Sequence, residues 1–171
     1  VINGVMKIIP GLIIIPSYTS RLPRQSDEAN NRIFISQDEF KKLIEKGEMI
    51  EWAKVHQKWY YGRKRDDILA PIKSGKNIIM DVNVNGAVNY EKIMPEAITI
   101  FIKYENPNLF TKRLKTNRPE ITDQELQTRY QSMLKELTYE KYFDYSVINP
   151  EGQPEKAIEK VLDIITNQTR I

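Results

Sequence analysis

Four short apolar runs, spread along the whole chain, limit what it can fold into. They are Leu12–Ile15, Ile78–Val82, Ile98–Ile102 and Tyr145–Ile148. Each is brief and rich in β-branched residues, the pattern of strands covered on both faces. Helical stretches separate the later runs: 86–94, then 107–115 and 123–137, with 154–166 closing the chain. Strands alternating with helices predict an α/β fold with a parallel sheet core flanked by helices. With 171 residues the chain suits a single domain, 1–171, able to bury a core.

The span between the first two runs has another character. Ser36, with Glu39 three residues on, is a capping box that opens a helix ending near Lys46 and Gly47. Around it 33–35, 49–55 and 59–61 read as short strands. Residues 17–64 are therefore expected to form a small β-rich lobe inserted in the core. A second capping box, Thr122 with Glu125, opens the long helix after Arg118 and Pro119. The polar link 116–121 joins two helices, so 107–137 reads as a hinged helical lid.

Composition removes several chemistries. There is no Cys and a single His, His56, which argues against thiolate or His-based metal sites and against a Ser-His-Asp triad. No metal ligands are expected. Lys and Arg number 26 and Asp and Glu 23, a net charge of +3. That charge suits a small anionic substrate better than nucleic acid. The longest apolar run is too short to span a bilayer, so no membrane association is expected, and a cytoplasmic location fits.

Candidate residues cluster at predicted strand ends. Ser17 to Arg24 follows the first strand at the edge where open α/β sheets bind ligands. Arg21 and Arg24, three apart beside Pro23, could converge on one phosphate or be solvated loop arginines. Glu51 is an acid within an apolar strand. A buried carboxylate must find donors, from a purine edge or from a neighbouring Arg or Lys; on the exposed strand face it would need none. Asp81 ends the run Ile78-Ile79-Met80, as an active-site acid or as a distant cap on the next helix. Tyr61, before Gly62, offers a hydroxyl to a phosphate or packs a β lobe. Arg118 and Arg129 flank the lid, to close on a phosphoryl group or to remain helix charges.

In order and spacing these segments resemble guanylate kinase of the bacterial type. The matching stretches are Ser17-Tyr18-Thr19-Ser20-Arg21-Leu22-Pro23-Arg24, Ile50-Glu51-Trp52-Ala53, Tyr61-Gly62 and Met80-Asp81 through Gly86. Arg118 and Arg129, eleven apart, and Phe143 through Asn149 complete the resemblance, which covers nearly the whole chain. It implies a P-loop nucleoside monophosphate kinase fold and a transferase of purine nucleotide metabolism. The implied reaction is ATP-dependent phosphorylation of GMP to GDP, with Mg²⁺ bound through ATP. By the same resemblance Arg21, Arg24 and Tyr61 hold the GMP phosphate. Ser17, Glu51 and Asp81 serve the guanine-binding lobe, Arg118 and Arg129 neutralise charge between the phosphates, and Asn149 lies beside adenine.

The chain departs from the family pattern in places. It contains no Gly-x-x-x-x-Gly-Lys-Ser/Thr loop, and it opens at Val1 as though already inside a helix. The expectation is that a strand and that loop, on the order of twenty residues, precede Val1, and that without them activity is poor. Arg32 replaces a family Tyr, Arg63 a Thr or Ser, and Asn83 an acid. Two alternatives remain open: a catalytically inactive guanylate-kinase-like module binding a nucleotide or phosphopeptide, and a kinase for another monophosphate. The sequence does not fix the oligomeric state.

Overall fold

The computed structural model describes residues 1–23, 31–55 and 58–168. The chain divides into two compact units, one of Met6–Asp81 and one of Val1–Val5 with Val82–Ile171. Among the described residues no helix is long and apolar enough to cross a membrane.

Helix α1 (Ile2–Ile8) opens the chain and buries Val5 fully, and Gly11 at φ 82° follows its end. Strand β1 (Ile13–Ile14) then pairs in parallel with β6 (Ile78–Ile79). Both are shorter than their apolar runs.

Between them lies a four-stranded sheet in the order β3-β2-β5-β4. It is built from β2 (Ser17–Thr19), β3 (Arg32–Phe34), β4 (Met49–Val55) and β5 (Trp59–Lys64). Strands β2 and β3 are parallel; β5 runs antiparallel to both β2 and β4. The Ser17–Thr19 segment, read from sequence as part of a ligand loop, is thus a strand.

Helix α2 (Gln37–Glu45) carries the capping box in full. Ser36 Oγ accepts from Glu39 N–H, and Glu39 Oε2 accepts from Ser36 N–H at 2.8 Å. That hydrogen bonding lowers the Glu39 pKa. The helix ends in a Schellman motif: Glu48 N–H donates to the Leu43 carbonyl and Gly47 N–H to that of Ile44, with Gly47 at φ 68°. Phe40 is fully buried and stacks on Tyr60 at 5.3 Å, which is tilted against Trp52 at 6.0 Å. Burial of such a ring contributes about 1.5–3 kcal/mol.

Helix α3 (Arg65–Lys73) was not expected from sequence. It carries Pro71 inside its span, a residue that ordinarily argues against helix. Pro71 sits in the last turn, and Ser74 caps that turn by donating its backbone N–H to Ala70 and its hydroxyl to the same carbonyl.

In the other unit β7 (Ile100–Tyr104) and β8 (Tyr145–Asn149) form a parallel pair. Asp144 fastens their starts: its carboxylate accepts from Thr99 N–H at 2.7 Å and from the Thr99 hydroxyl at 2.8 Å. Helix α7 (Pro154–Gln168) buries Ala157 and Val161 in this unit, where Phe101 and Val147 are also buried. Phe101 meets Phe143 edge-on at 5.1 Å.

Helix α4 (Val84–Ile93) is capped by Asn83, whose Oδ1 accepts from Gly86 N–H at 2.8 Å. Helices α5 (Asn108–Asn117) and α6 (Asp123–Leu137) occupy the stretch read as a lid, and they contact each other. Thr122 caps α6 through Glu125 N–H. The Glu125 carboxylate that would close the second capping box is engaged by Arg129 at 2.9 Å.

Candidate functional site

Strand alternation and the register of the four-stranded sheet sort its side chains onto two faces. Ser17 is paired with Arg32, Thr19 with both Phe34 and Tyr61, and Glu51 with Arg63. These residues share one face. Tyr18, Trp52, Tyr60 and Lys64 take the other, where Phe40 packs.

A bulge in β4 makes this division possible. Met49 opposes Lys64 while Glu51 opposes Arg63, so one extra residue, Ile50, lies between. In a regular strand without the bulge Met49 and Glu51, two residues apart, would share a face. With it Met49 is buried and Glu51 stands among the polar groups of the opposite face.

Arg21 follows β2 on the polar face and is 7% exposed. Its Nε donates to Tyr61 Oη at 3.2 Å, its Nη1 to the Leu22 carbonyl at 2.6 Å, and its guanidinium lies 5.4 Å from the Phe34 ring centre. The backbone beneath is fixed from β5. Thr19 Oγ1 and Ser20 N–H both donate to the Tyr60 carbonyl, at 3.0 and 3.1 Å, and Tyr60 N–H donates to Ser20 Oγ at 2.9 Å. Thr19 Oγ1 also accepts from Arg21 N–H at 3.2 Å.

Glu51 meets a neighbouring arginine, one of the two kinds of donor its sequence context called for. Arg63 Nη1 lies 3.5 Å from Glu51 Oε1. Arg63 Nη2 donates to the Asp81 carbonyl and lies 3.4 Å from Asp81 Oδ1. Asp81 itself is largely exposed just after β6, and the cap on α4 is Asn83. The sequence marked Arg63 as a departure from the family, but its place beside Glu51 depends on the β4 bulge, which no local pattern announces.

On the opposite face Tyr18 has its pKa raised to about 12. Burial is the largest cause, followed by the charge and hydrogen bond of Asp67 and then the charge of Glu48. Lys64 lies 5.3 Å from the Tyr18 ring centre and 3.5 Å from Glu48.

The structure thus brings Ser17, Arg21, Glu51 and Tyr61 onto one face, with Asp81 tied to it through Arg63. Arg24 and His56 lie outside the described residues. Arg118, Arg129 and Asn149 belong to the other unit. Arg118 ends α5, its N–H donating to the Leu114 carbonyl. Arg129 pairs with Glu125 one turn earlier on α6. Asn149 ends β8 opposite Tyr104, and its Oδ1 is buried without a hydrogen-bond partner among the described residues. Next to it, Arg113 donates to the Pro150 carbonyl at 3.0 Å and lies 5.2 Å from the Tyr104 ring centre. Among the described residues no group of three or more His, Asp or Glu could hold a metal ion.

The sequence model of the guanylate kinase family matches residues 7–168. Guanylate kinase of Caldanaerobacter subterraneus subsp. tengcongensis is 32% identical over 150 residues, 87% of this chain and 71% of the relative. Guanylate kinase of Fusobacterium nucleatum is 33% identical over 158 residues, 92% of this chain and 83% of the relative. The crystal structure of guanylate kinase from Anaplasma phagocytophilum has the same fold, with a TM-score of 0.78 at 20% identity over 99% of this chain and 82% of that one. A family match over nearly the whole chain, two relatives at about one third identity and a shared fold agree with the motifs at β2, β4 and β5: this chain belongs to the guanylate kinase family.

Proposed function

We propose that the protein transfers the γ-phosphoryl group of ATP to GMP, giving GDP and ADP. The observation that carries this reading is the coupling of Arg21 to Tyr61 on the face that also presents Glu51, in a chain of this family. A guanidinium and a phenol converging from β2 and β5 suit a phosphate monoester. Glu51 offers carboxylate oxygens to the N1–H and 2-amino donors of guanine; adenine has no N1–H.

In the reaction an oxygen of the GMP phosphate forms a bond to the γ-phosphorus. The bond from that phosphorus to the β–γ bridging oxygen breaks, and ADP leaves with the electron pair. Such transfer depends on positioning and charge stabilisation, so an arginine-rich site with no Cys and one His is adequate. Arg21, Arg24 and Tyr61 hold the acceptor phosphate, while Ser17, Glu51 and Asp81 serve the base. Arg118 and Arg129 are assigned to neutralise phosphate charge. Asn149 is assigned to adenine, whose amino group could donate to the buried Oδ1. Mg²⁺ belongs to this reading as the partner of the ATP phosphates, lowering their charge, and no side chain described here is assigned to it.

The test is GMP-dependent release of ADP from ATP by the intact protein, with GDP identified as the second product. AMP in place of GMP should give little turnover. Binding of GMP with no GDP formed would mark a nucleotide-binding module instead, and turnover of AMP at the GMP rate would remove the guanine assignment.

A further inference from the structure

Tyr18 lies in β2 between Ser17 and Thr19, and its side chain takes the face of the sheet away from theirs. Opposite it in β5 is Gly62, which has no side chain. The Tyr18 hydroxyl bonds Asp67, in the first turn of α3, where a carboxylate also suits the helix dipole. With its pKa raised to about 12 the phenol keeps its proton at neutral pH, so it donates and the carboxylate accepts. Asp67 Oδ2 is buried with no hydrogen-bond partner among the described residues, so this carboxylate depends on the Tyr18 hydroxyl. Lys64, the N-cap of α3, gives the helix no side-chain cap and points instead to the Tyr18 ring and Glu48. The start of α3 is thus held by Arg65 N–H, which donates to the Glu48 carbonyl at 2.8 Å, and by the bond from Tyr18 to Asp67.

Strand β2 is three residues long, and its ladder to β5 pairs only Tyr18 with Gly62 and Thr19 with Tyr61. Arg21 leaves the end of that short ladder and still meets the Tyr61 hydroxyl. So brief a pairing leans on side chains to keep its register. We propose that Tyr18 and Asp67 are positioning residues: their hydrogen bond, made behind the sheet, holds β2 against β5 and α3 so that Arg21 meets Tyr61 at the acceptor phosphate. The proposal rests on the guanylate kinase reading and goes beyond it, since none of the roles assigned there uses this face of the sheet. Neither residue touches the substrate. Their effect on GMP passes through Arg21, and that route can be measured.

The experiment is calorimetric titration of the intact protein with GMP, for wild type, Tyr18→Phe, Arg21→Ala and the double variant, with KM for GMP and for ATP measured alongside. Tyr18→Phe removes one oxygen and keeps the ring. It should bind GMP about five-fold more weakly, the scale of one hydrogen bond to a charged acceptor, and raise KM for GMP while leaving KM for ATP unchanged. In the Arg21→Ala background the same change should alter GMP affinity by no more than about two-fold, because nothing is left to position. A general loosening of the fold would cost the same factor in both backgrounds. Asp67 gives a second route that does not need Tyr18→Phe to fold: Asp67→Ala should lose affinity as Tyr18→Phe does, and Asp67→Asn, which keeps an acceptor for the hydroxyl, should recover most of it. Wild-type GMP affinity in Tyr18→Phe or in Asp67→Ala, or an equal loss with and without Arg21, would overturn the proposal. Wild type failing to bind GMP would overturn the acceptor reading itself, and the positioning role with it.

Discussion

Arg21 is oriented before any ligand arrives, by the Tyr61 hydroxyl, the Leu22 carbonyl and the ring of Phe34. A phosphate gains from such an arrangement because the side-chain ordering has already occurred on folding. Arg21→Ala should weaken GMP binding by about 2 kcal/mol or more, near thirty-fold in Kd, as for loss of one member of a desolvated charge pair. Arg21→Lys keeps the charge without the planar fork and should recover only part of the affinity. Calorimetry with GMP on both variants checks this, and unchanged affinity in Arg21→Ala would take Arg21 out of the site. At this scale the sequence was partly readable. The Arg21 motif and the acid at Glu51 stood out from their surroundings, because a charge in an apolar run is rare. The partner of Glu51 was not fixed, because a contact across two strands depends on register and not on spacing along one.

At the scale of elements, signals carried by the backbone's own chemistry were the clearest. Ser36 and Glu39 marked the start of α2, Gly47 its end, and the Asp123–Leu137 helix matches its predicted limits. Helix α3 was hidden by Pro71, which the last helical turn accommodates. Two predictions belong here. Gly62 lies where β5 is flanked by β2 and β4, and a Cβ there would sit 2.7 Å from Met49 Cε and 2.9 Å from Trp52 Cβ, and closer still to the Glu51 carbonyl oxygen. Gly62→Ala should cost about 1–3 kcal/mol of stability, read by urea unfolding, and should also weaken GMP binding because β5 carries Tyr61 and Arg63. A variant as stable as wild type would show that the strands separate freely. The second concerns Glu140, in the 3-10 turn before β8. Hydrogen bonds from Lys103, at 2.6 Å, and from Ser146 hold its carboxyl below the usual carboxylate range. A depressed folded-state pKa contributes stability above the unfolded value and loses it as pH falls through the folded one. Glu140→Gln should therefore lower Tm at neutral pH and make the acid limb of Tm against pH shallower. An unchanged limb would show that the pair adds nothing.

For the whole molecule, the alternation of strands and helices was enough to indicate the α/β class. It did not reveal that β1 pairs with β6 and β7 with β8 as two separate ladders, each inside its own unit. Sequence patterns mark an apolar strand but show neither which neighbour it pairs with nor that both faces are covered: the expectation of two covered faces fails in β7 and β8, where Ile102 and Ile148 are exposed. The acceptor assignments all fall between Ser17 and Asp81, within one unit. Amide hydrogen exchange with GMP alone should therefore show its greatest slowing in β2, β4 and β5, with little change in β7, β8 and α7. Equal protection of both units would mean that the acceptor contacts are not confined to the Ser17–Asp81 span.

The extra residue in β4 resembles a shifted reading frame. Up to Met49 the strand is in phase with the apolar layer under Phe40; from Glu51 onward it is in phase with the charged one. Deleting Ile50 would make Met49 and Glu51 neighbours that alternate in the ordinary way, Met49 still opposite Lys64 and Glu51 still opposite Arg63, so the bulge would vanish while both side chains kept their faces. Shortening β4 by one residue thus separates the facing of the side chains, which would be kept, from the local bend and twist that the extra residue adds, so any loss of stability or of GMP binding would be owed to the bend.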